Sequence, residues 1–379
     1  MATKNFEVQQ LFKVYRNGLI SEELFLEQMD ELCAAPNGQR ANGASGERAN
    51  GANGQASAPM SSSRPAKKSR PMTGDAVLDA PGGMAMLMQK RTYDRTTEDL
   101  GNIVALEHVN VTVPSQEMAA LFYVNGLGLT RDPYMMTGPA NMWVNAGRQQ
   151  FHLPTSKAQV LRGHIGVVVS DYDQLPKRLA RAGEALSGTR FEFHERDGHV
   201  EATCPWGNRI RCFAPDKRFG PMAVGVPYVE FDVPVGAAAG IARFYTEIME
   251  AQAAPLEDAQ GRFACVTAGS GQNLFFRETD RALAAYDQHH SAVYINDFSK
   301  PHQKLAAKGL ITQESDQHQY RFQDIIDPDS GKVLFTIEHE VRSMRHPLYL
   351  RPLVNRNPSQ SIVQYAPGED DRNWAMRPN

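Results

Sequence analysis

Gly163-His164-Ile165-Gly166-Val167-Val168-Val169-Ser170-Asp171 reads as a buried strand that opens on a histidine and closes on a turn. Val167, Val168 and Val169 are β-branched and suit a pleated, packed surface, while Ser170-Asp171-Tyr172-Asp173 is turn chemistry, so strand is favoured over helix. A histidine at such a strand end can turn its ring into a concavity, where a neutral imidazole nitrogen is a good ligand for a divalent metal. Taken alone, a strand histidine is more often a hydrogen-bonded packing residue. Its neighbours shift the balance. Upstream, Leu106-Glu107-His108-Val109-Asn110-Val111-Thr112-Val113-Pro114 repeats the pattern of a histidine leading an alternating strand. Between the two, Gln149-Gln150-Phe151-His152-Leu153-Pro154 is a short strand with a third histidine.

Working outward, residues 103 to 214 show the order strand, helix, three strands twice over. The first pass runs from the strand at Leu106 through a helix near Gln116 to Val124, then Gly126 to Thr130, Asn141 to Val144 and Gln149 to His152. The second runs from His164 through a helix Leu175 to Ala182 stopped by Gly183, then Arg190 to His194, His199 to Thr203 and Asn208 to Phe213. A weaker copy of the block follows. Val226 to Pro234 matches the strand at Leu106, Ala242-Arg243-Phe244-Tyr245 matches Ala120-Leu121-Phe122-Tyr123, and His289 to Asp297 matches the stretch quoted first. Internal similarity of this kind is an architectural signal.

These residues carry a resemblance. The paired β-α-β-β-β modules, Phe122-Tyr123 followed by Gly126-Leu127-Gly128-Leu129, the strand from Gly163, and the turns at Asn208-Arg209-Ile210 and Asp327-Pro328-Asp329 resemble the vicinal oxygen chelate superfamily, the fold of glyoxalases, fosfomycin-resistance proteins and extradiol dioxygenases. The resemblance spans about 103 to 342 and implies an α+β fold of two tandem domains, 101–218 and 222–342, each of paired βαβββ modules. It also implies a divalent metal in a U-shaped cup. On the matching positions the first domain offers His108, His152 and His164 as ligands, with Arg211 where the family has glutamate.

Arginine stays protonated and cannot ligate. Three neutral imidazoles would leave a bound ion its full charge and open positions, suited to Fe2+ with dioxygen or to a Lewis-acid centre with Zn2+, Mn2+ or Ni2+. Arg211 would then be free to hold a carboxylate, enolate or phenolate of a chelating substrate as a catalytic residue. The competing reading has Arg211 in a salt bridge to Glu107 or Glu192 and the histidines merely packed. In the second domain the matching positions are Tyr228, Phe275, His290 and Phe335, so that cup is expected to be structural, with His290 and His339, helped by Tyr228, as the exception. His194, Glu195, His199 and Glu201 could supply a general base on adjacent strands.

The rest of the chain bounds the function. A net charge of -3 argues against a partner bound through phosphates, so no nucleic acid is expected. No apolar run approaches the ~20 residues of a membrane span and no signal-peptide plan opens the chain, which points to a cytoplasmic protein without a membrane partner. Cys33, Cys204, Cys212 and Cys265 form no Cys-x-x-Cys pair and read as reduced packing residues. Residues 1–35 read as a helical hairpin around Asn17-Gly18, with Ser21 as N-cap, and resemble the SHOCT-type modules associated with oligomerisation. That implies a homo-oligomer or a partner docked through the hairpin. An ordinary hairpin docked on its own protein is the alternative.

Residues 36–100 are linker in composition, opening on a run of Gly, Asn, Ala and Ser that has little to fold around, and residues 343–379 read as an extended tail. Three functions follow. The first is a non-haem Fe2+ dioxygenase acting on a small oxygen-chelating substrate. The second is a metal-dependent lyase or isomerase on the same cup, and the third a non-catalytic binding or scaffold protein.

Overall fold

The computed structural model describes residues 93–133 and 140–351. The helical hairpin at 1–35, most of the linker and the tail beyond 351 lie outside the described residues. The described part belongs to one compact unit. It contains four βαβββ modules in series.

The first module is β1 (Ile103–Asn110), helix α1 (Gln116–Ala119), β2 (Thr130–Arg131), β3 (Asn141–Ala146) and β4 (Gln149–Pro154). Ser115 caps α1, its Oγ accepting from the Met118 amide at 3.2 Å, and the helix then widens into a π-turn over Ala120–Gly126. That widening takes up the Gly126 segment read from sequence as strand. The second module is β5 (Gly163–Val168), α2 (Leu175–Ala185), β6 (Glu192–Arg196), β7 (His199–Thr203) and β8 (Arg209–Phe213). Leu175, Leu179 and Ala182 recur at helical spacing and are the buried face of α2. The helix runs through Gly183 instead of stopping there. A side chain at that position would meet the Phe191 ring at 2.8 Å, so this glycine serves close packing, not termination.

The third module is β9 (Gly225–Pro234), α3 (Ala238–Glu247), β10 (Ala253–Asp258), β11 (Gly261–Thr267) and β12 (Asn273–Thr279). The fourth is β13 (His290–Ile295), α4 (Ser299–Ala307), β14 (Ile311–Asp316), β15 (Gln319–Ile326) and β16 (Val333–Ser343). Two eight-stranded sheets result, ordered β14-β15-β16-β13-β1-β4-β3-β2 and β10-β11-β12-β9-β5-β8-β7-β6. The modules are therefore nested: the first pairs with the fourth and the second with the third.

This corrects the tandem arrangement read from the sequence, in which residues 101–218 and 222–342 each close on themselves. Internal repeats say which modules are alike, not which are neighbours. The choice is made by the segment between β4 and β5, which is bonded to both sheets. Gln159 Nε2 donates to the Asp287 carbonyl at 2.7 Å just ahead of β13, and the Leu161 amide donates to Asn208 Oδ1 at 2.8 Å just ahead of β8. Gly163 then opens β5 at φ 145°, where a Cβ would stand 1.8 Å from the Glu230 carbonyl oxygen of β9. Only glycine lets the two strands meet there.

Residues from both sheets and all four helices share one apolar cluster, including Phe122, Phe151, Phe231, Phe244, Phe276 and Phe322. Each buried aromatic of this kind contributes roughly 2–3 kcal/mol. With one face of each sheet committed to this core, the other faces carry the polar side chains. The tail expected as an extended wrap begins instead as consecutive turns over residues 344–350.

Candidate metal centre

In the first sheet, the pleat puts His108 and Asn110 of β1 on the face opposite the buried Val109. Asn110 is in register with His152 of the parallel neighbour β4 and with His290 of the antiparallel neighbour β13, while Ala292 of β13 is in register with Glu340 of β16. Four strands thus send His108, His152, His290 and Glu340 to one concave face. The ligand atoms of the three histidines lie within 4.8 Å of one another.

The donor geometry fits a divalent ion. The Nε2 atoms of His108 and His290 are 3.5 Å apart, and two nitrogens held at ~2.1 Å by one tetrahedral ion stand roughly 3.4 Å apart. His152 Nε2 is buried and has no hydrogen-bond partner among the described residues. A buried imidazole nitrogen left unpaired is costly unless something else satisfies it. Its ring is fixed by Trp143, stacked at 3.8 Å and 18°.

The surrounding charges orient these ligands. Glu107 contacts His108 Nδ1, so Nδ1–H donates to the carboxylate and the lone pair of Nε2 is turned toward the other rings. Arg342 Nη1 donates to the other Glu107 oxygen at 2.8 Å and its Nη2 reaches Glu340 Oε1 at 2.5 Å. Arg321 contacts both Glu338 and Glu340, and Glu340 Oε2 lies 3.5 Å from His290 Nε2. Three carboxylates thus face two guanidiniums, a net of one negative charge that a cation would offset.

The protonation states agree with that. Burial pushes the His152 imidazolium down to about 2, with His108 and His290 adding to the effect, so the ring is neutral and able to ligate. Burial likewise lowers His290. Burial alone would raise Glu107, but Arg342 and His108 overcome it and hold this carboxyl at about 2. Glu340 is also held well below the usual carboxylate range, with Arg342 prevailing over burial.

The structure does not bring His164 and Arg211 to this face. Both stand in the other sheet, because β5 lies between β9 and β8 and does not pair with β1. There His164 Nε2 lies 3.2 Å from the Tyr228 hydroxyl and Nδ1 lies 3.6 Å from Glu230, while Arg211 Nε reaches Glu201 at 3.4 Å, not Glu107 or Glu192. The positions of this second cup that correspond to His108, His152, His290 and Glu340 carry His164, Arg211, Tyr228 and Phe275. His290, expected in a structural cup, is in the histidine cluster. His339 is not beside it, since its ring turns into the core, stacked on Phe322 at 4.2 Å with Nε2 at 2.5 Å from the Tyr245 hydroxyl. His194 is half exposed near Glu192, away from the cluster on β6.

Two residues of the site were passed over in the sequence, Glu340 and Arg342. The repeat matches the last strand at Phe335, whereas β16 continues to Ser343. The alternation Glu338, Glu340, Arg342 was the available signal for a polar strand face.

No family model matches the chain, and no curated protein matches it. Among solved structures the chain is similar to a Bacillus subtilis protein described as a "putative dioxygenase", at 16% identity over 73% of this chain and 97% of that one, TM-score 0.47. It is similar also to glyoxalase I from Zea mays, at 13% identity over 63% and 92% of the two chains, TM-score 0.42. The topology itself decides the fold: in each sheet two βαβββ modules meet through their first strands, antiparallel, β1 on β13 and β5 on β9. The fold is that of the vicinal oxygen chelate superfamily. Within this vicinal oxygen chelate fold, the three histidines stand on the concave face of one sheet, and no described helix is long and apolar enough to cross a membrane.

Proposed function

We propose that this chain is a metal-dependent enzyme whose divalent ion is held by His108, His152 and His290, and that it is a non-haem Fe2+ dioxygenase acting on a small oxygen-chelating substrate. The observation that carries the reading is the facing pair His108 Nε2 and His290 Nε2 at 3.5 Å, with the unpaired, buried Nε2 of His152 beside them. A divalent ion held by three imidazoles supplies full charge and open positions, an arrangement that serves Fe2+ and dioxygen. Glu107 keeps His108 in the ligating tautomer. Arg321 and Arg342 hold both oxygens of Glu340, so that this carboxylate is occupied by guanidinium contacts. Trp143 covers one face of His152 and limits access of water from that side.

The second reading is a lyase or isomerase, and the place of Glu340 favours it. Its Oε2 is 3.5 Å from His290 Nε2, near enough to the cluster for a carboxylate that moves a substrate proton.

Elemental analysis of protein purified without a metal-binding tag is the test. Stoichiometric iron that falls at least ten-fold in His152→Ala supports the centre, and absence of any stoichiometric metal removes both readings. Dioxygen uptake then separates them. Under the dioxygenase reading turnover stops without oxygen and Glu340→Gln retains activity, whereas anaerobic turnover that is lost in Glu340→Gln establishes the lyase or isomerase.

A further inference from the structure

A cavity of about 230 Å³ lies on the same face of the first sheet, at the end where β1 begins. It is bounded by Ala105 and Glu107 of β1, by Tyr294 of β13, by Arg148 in the turn before β4, and by Leu348 and Tyr349 of the turns after β16. A cavity of ~150 Å³ lined by apolar side chains is enough to take up benzene, so this one has room for a single ring with one substituent. The rings of Tyr294 and Tyr349 meet edge to face in its wall, at 4.8 Å and 65°, and offer an aromatic surface.

The polar groups around it are mostly committed elsewhere. Tyr294 donates to Glu107 at 3.5 Å, and Glu107 itself is held by Arg342 and His108. Gln149 Oε1 accepts from the Val226 amide, and Gln272 bonds the backbone of Leu106 and Val226. Arg148 differs. It is exposed at the rim, and no ion pair or side-chain hydrogen bond joins it to a described residue. A largely apolar, ring-sized chamber thus has two guanidiniums in its lining, Arg351, which is committed to Asp132, and Arg148 at its mouth, while the carboxylate at its inner wall is paired with Arg342 and His108. An anionic group entering the chamber is drawn to Arg148, the guanidinium there whose fork is open.

We propose that this cavity is a binding site for a monocyclic aromatic carboxylate, its ring against Tyr294 and Tyr349 and its carboxylate on the fork of Arg148. The site is separate from the histidine cluster, since the imidazole nitrogens that would hold a metal face away from Glu107. Binding therefore requires no metal. Because Glu107 touches both the chamber and His108, occupancy also bears on the metal centre, and that consequence alone rests on the function proposed above.

The test is calorimetric titration of benzoate and of its neutral isostere benzamide into the full chain after EDTA treatment. Saturable 1:1 binding of benzoate is expected, weakened at least five-fold by Arg148→Ala while benzamide changes less than two-fold. Ser270→Trp, at an exposed turn that lines the chamber, should abolish binding of both ligands without lowering the melting temperature. No saturable benzoate binding, or binding unaffected by both substitutions, overturns the proposal. So does binding that appears only on adding metal back, which would place the acid on the ion. A metal-free protein that binds benzoate yet never acquires metal would leave this site standing and remove only the metal reading.

Discussion

Arg342 Nη1 donates to Glu107 Oε1 over 2.8 Å, tying the last strand of the fourth module to the first strand of the first. The same guanidinium holds Glu340, and all three side chains are less than a tenth exposed. Removing one partner from such a group strands buried charge. Arg342→Gln is expected to cost about 3–5 kcal/mol, read as a lower urea midpoint. Arg342→Lys keeps the charge but not the fork, and should fall between the two. A midpoint unchanged in Arg342→Gln would show that the bridge does not hold the modules together.

The nested pairing makes a prediction that the contiguous one reverses. With His108, His152 and His290 in one sheet and His164 in the other, His290→Ala is expected to lower metal retention at least ten-fold, as His152→Ala does, while His164→Ala retains the wild-type content. Metal per chain after dialysis against a weak chelator is the measurement. Loss in His164→Ala with retention in His290→Ala would restore the contiguous domains.

The repeats carried the modules into view, and the limits of what they carried are physical. Each module's first strand was marked by β-branched residues behind a polar leader, as at Gly163 to Val169, and those strands are present. Which modules share a sheet depends on bonds of long sequence separation, such as Gln159 to Asp287, and local pattern does not encode them. His108 and His152 were legible because a β-strand shows its concave face every second residue. Glu340 is not legible in the same way, because the repeat matches the last strand at Phe335, near the start of a strand that runs eleven residues from Val333. Arg211 matches the family's glutamate position within its own module, but β8 belongs to the second sheet, so it does not share a face with the histidine cluster.

Acid should destabilise the protein through histidines buried without charge. Burial pushes His339 down to about 3, although its Nδ1 donates to the Ile337 carbonyl at 2.9 Å. The unfolded imidazole binds a proton below about pH 6.5 while the folded one does not. Stability from this group is complete above that pH, falls by about 1.4 kcal/mol per unit as pH drops, and stops falling near pH 3, where the folded ring is itself protonated. His339→Gln keeps an acceptor for the Tyr245 hydroxyl and cannot titrate. Urea midpoints between pH 6.5 and 4 should therefore slope less steeply in this variant, and an identical slope would mean that His339 is not buried as a neutral ring.

Trp143 gives the centre an optical reporter. Its ring lies 3.8 Å from that of His152, nearly parallel, and 4.9 Å from that of His108. A paramagnetic ion such as Fe2+ or Co2+ quenches an indole at near contact and has little effect on a distant one. The chain has three tryptophans, so a signal from Trp143 is a substantial share of the total. Adding Co2+ to metal-free protein is expected to reduce the emission saturably, and Trp143→Phe, which keeps an aromatic face over the imidazole, should lose most of that quenching while binding the same amount of metal. His152→Ala should lose both. If Trp143→Phe were quenched to the same extent as the wild type, the ion would have to sit away from the imidazole of His152, and the three-histidine centre would be the wrong place to look for the chemistry.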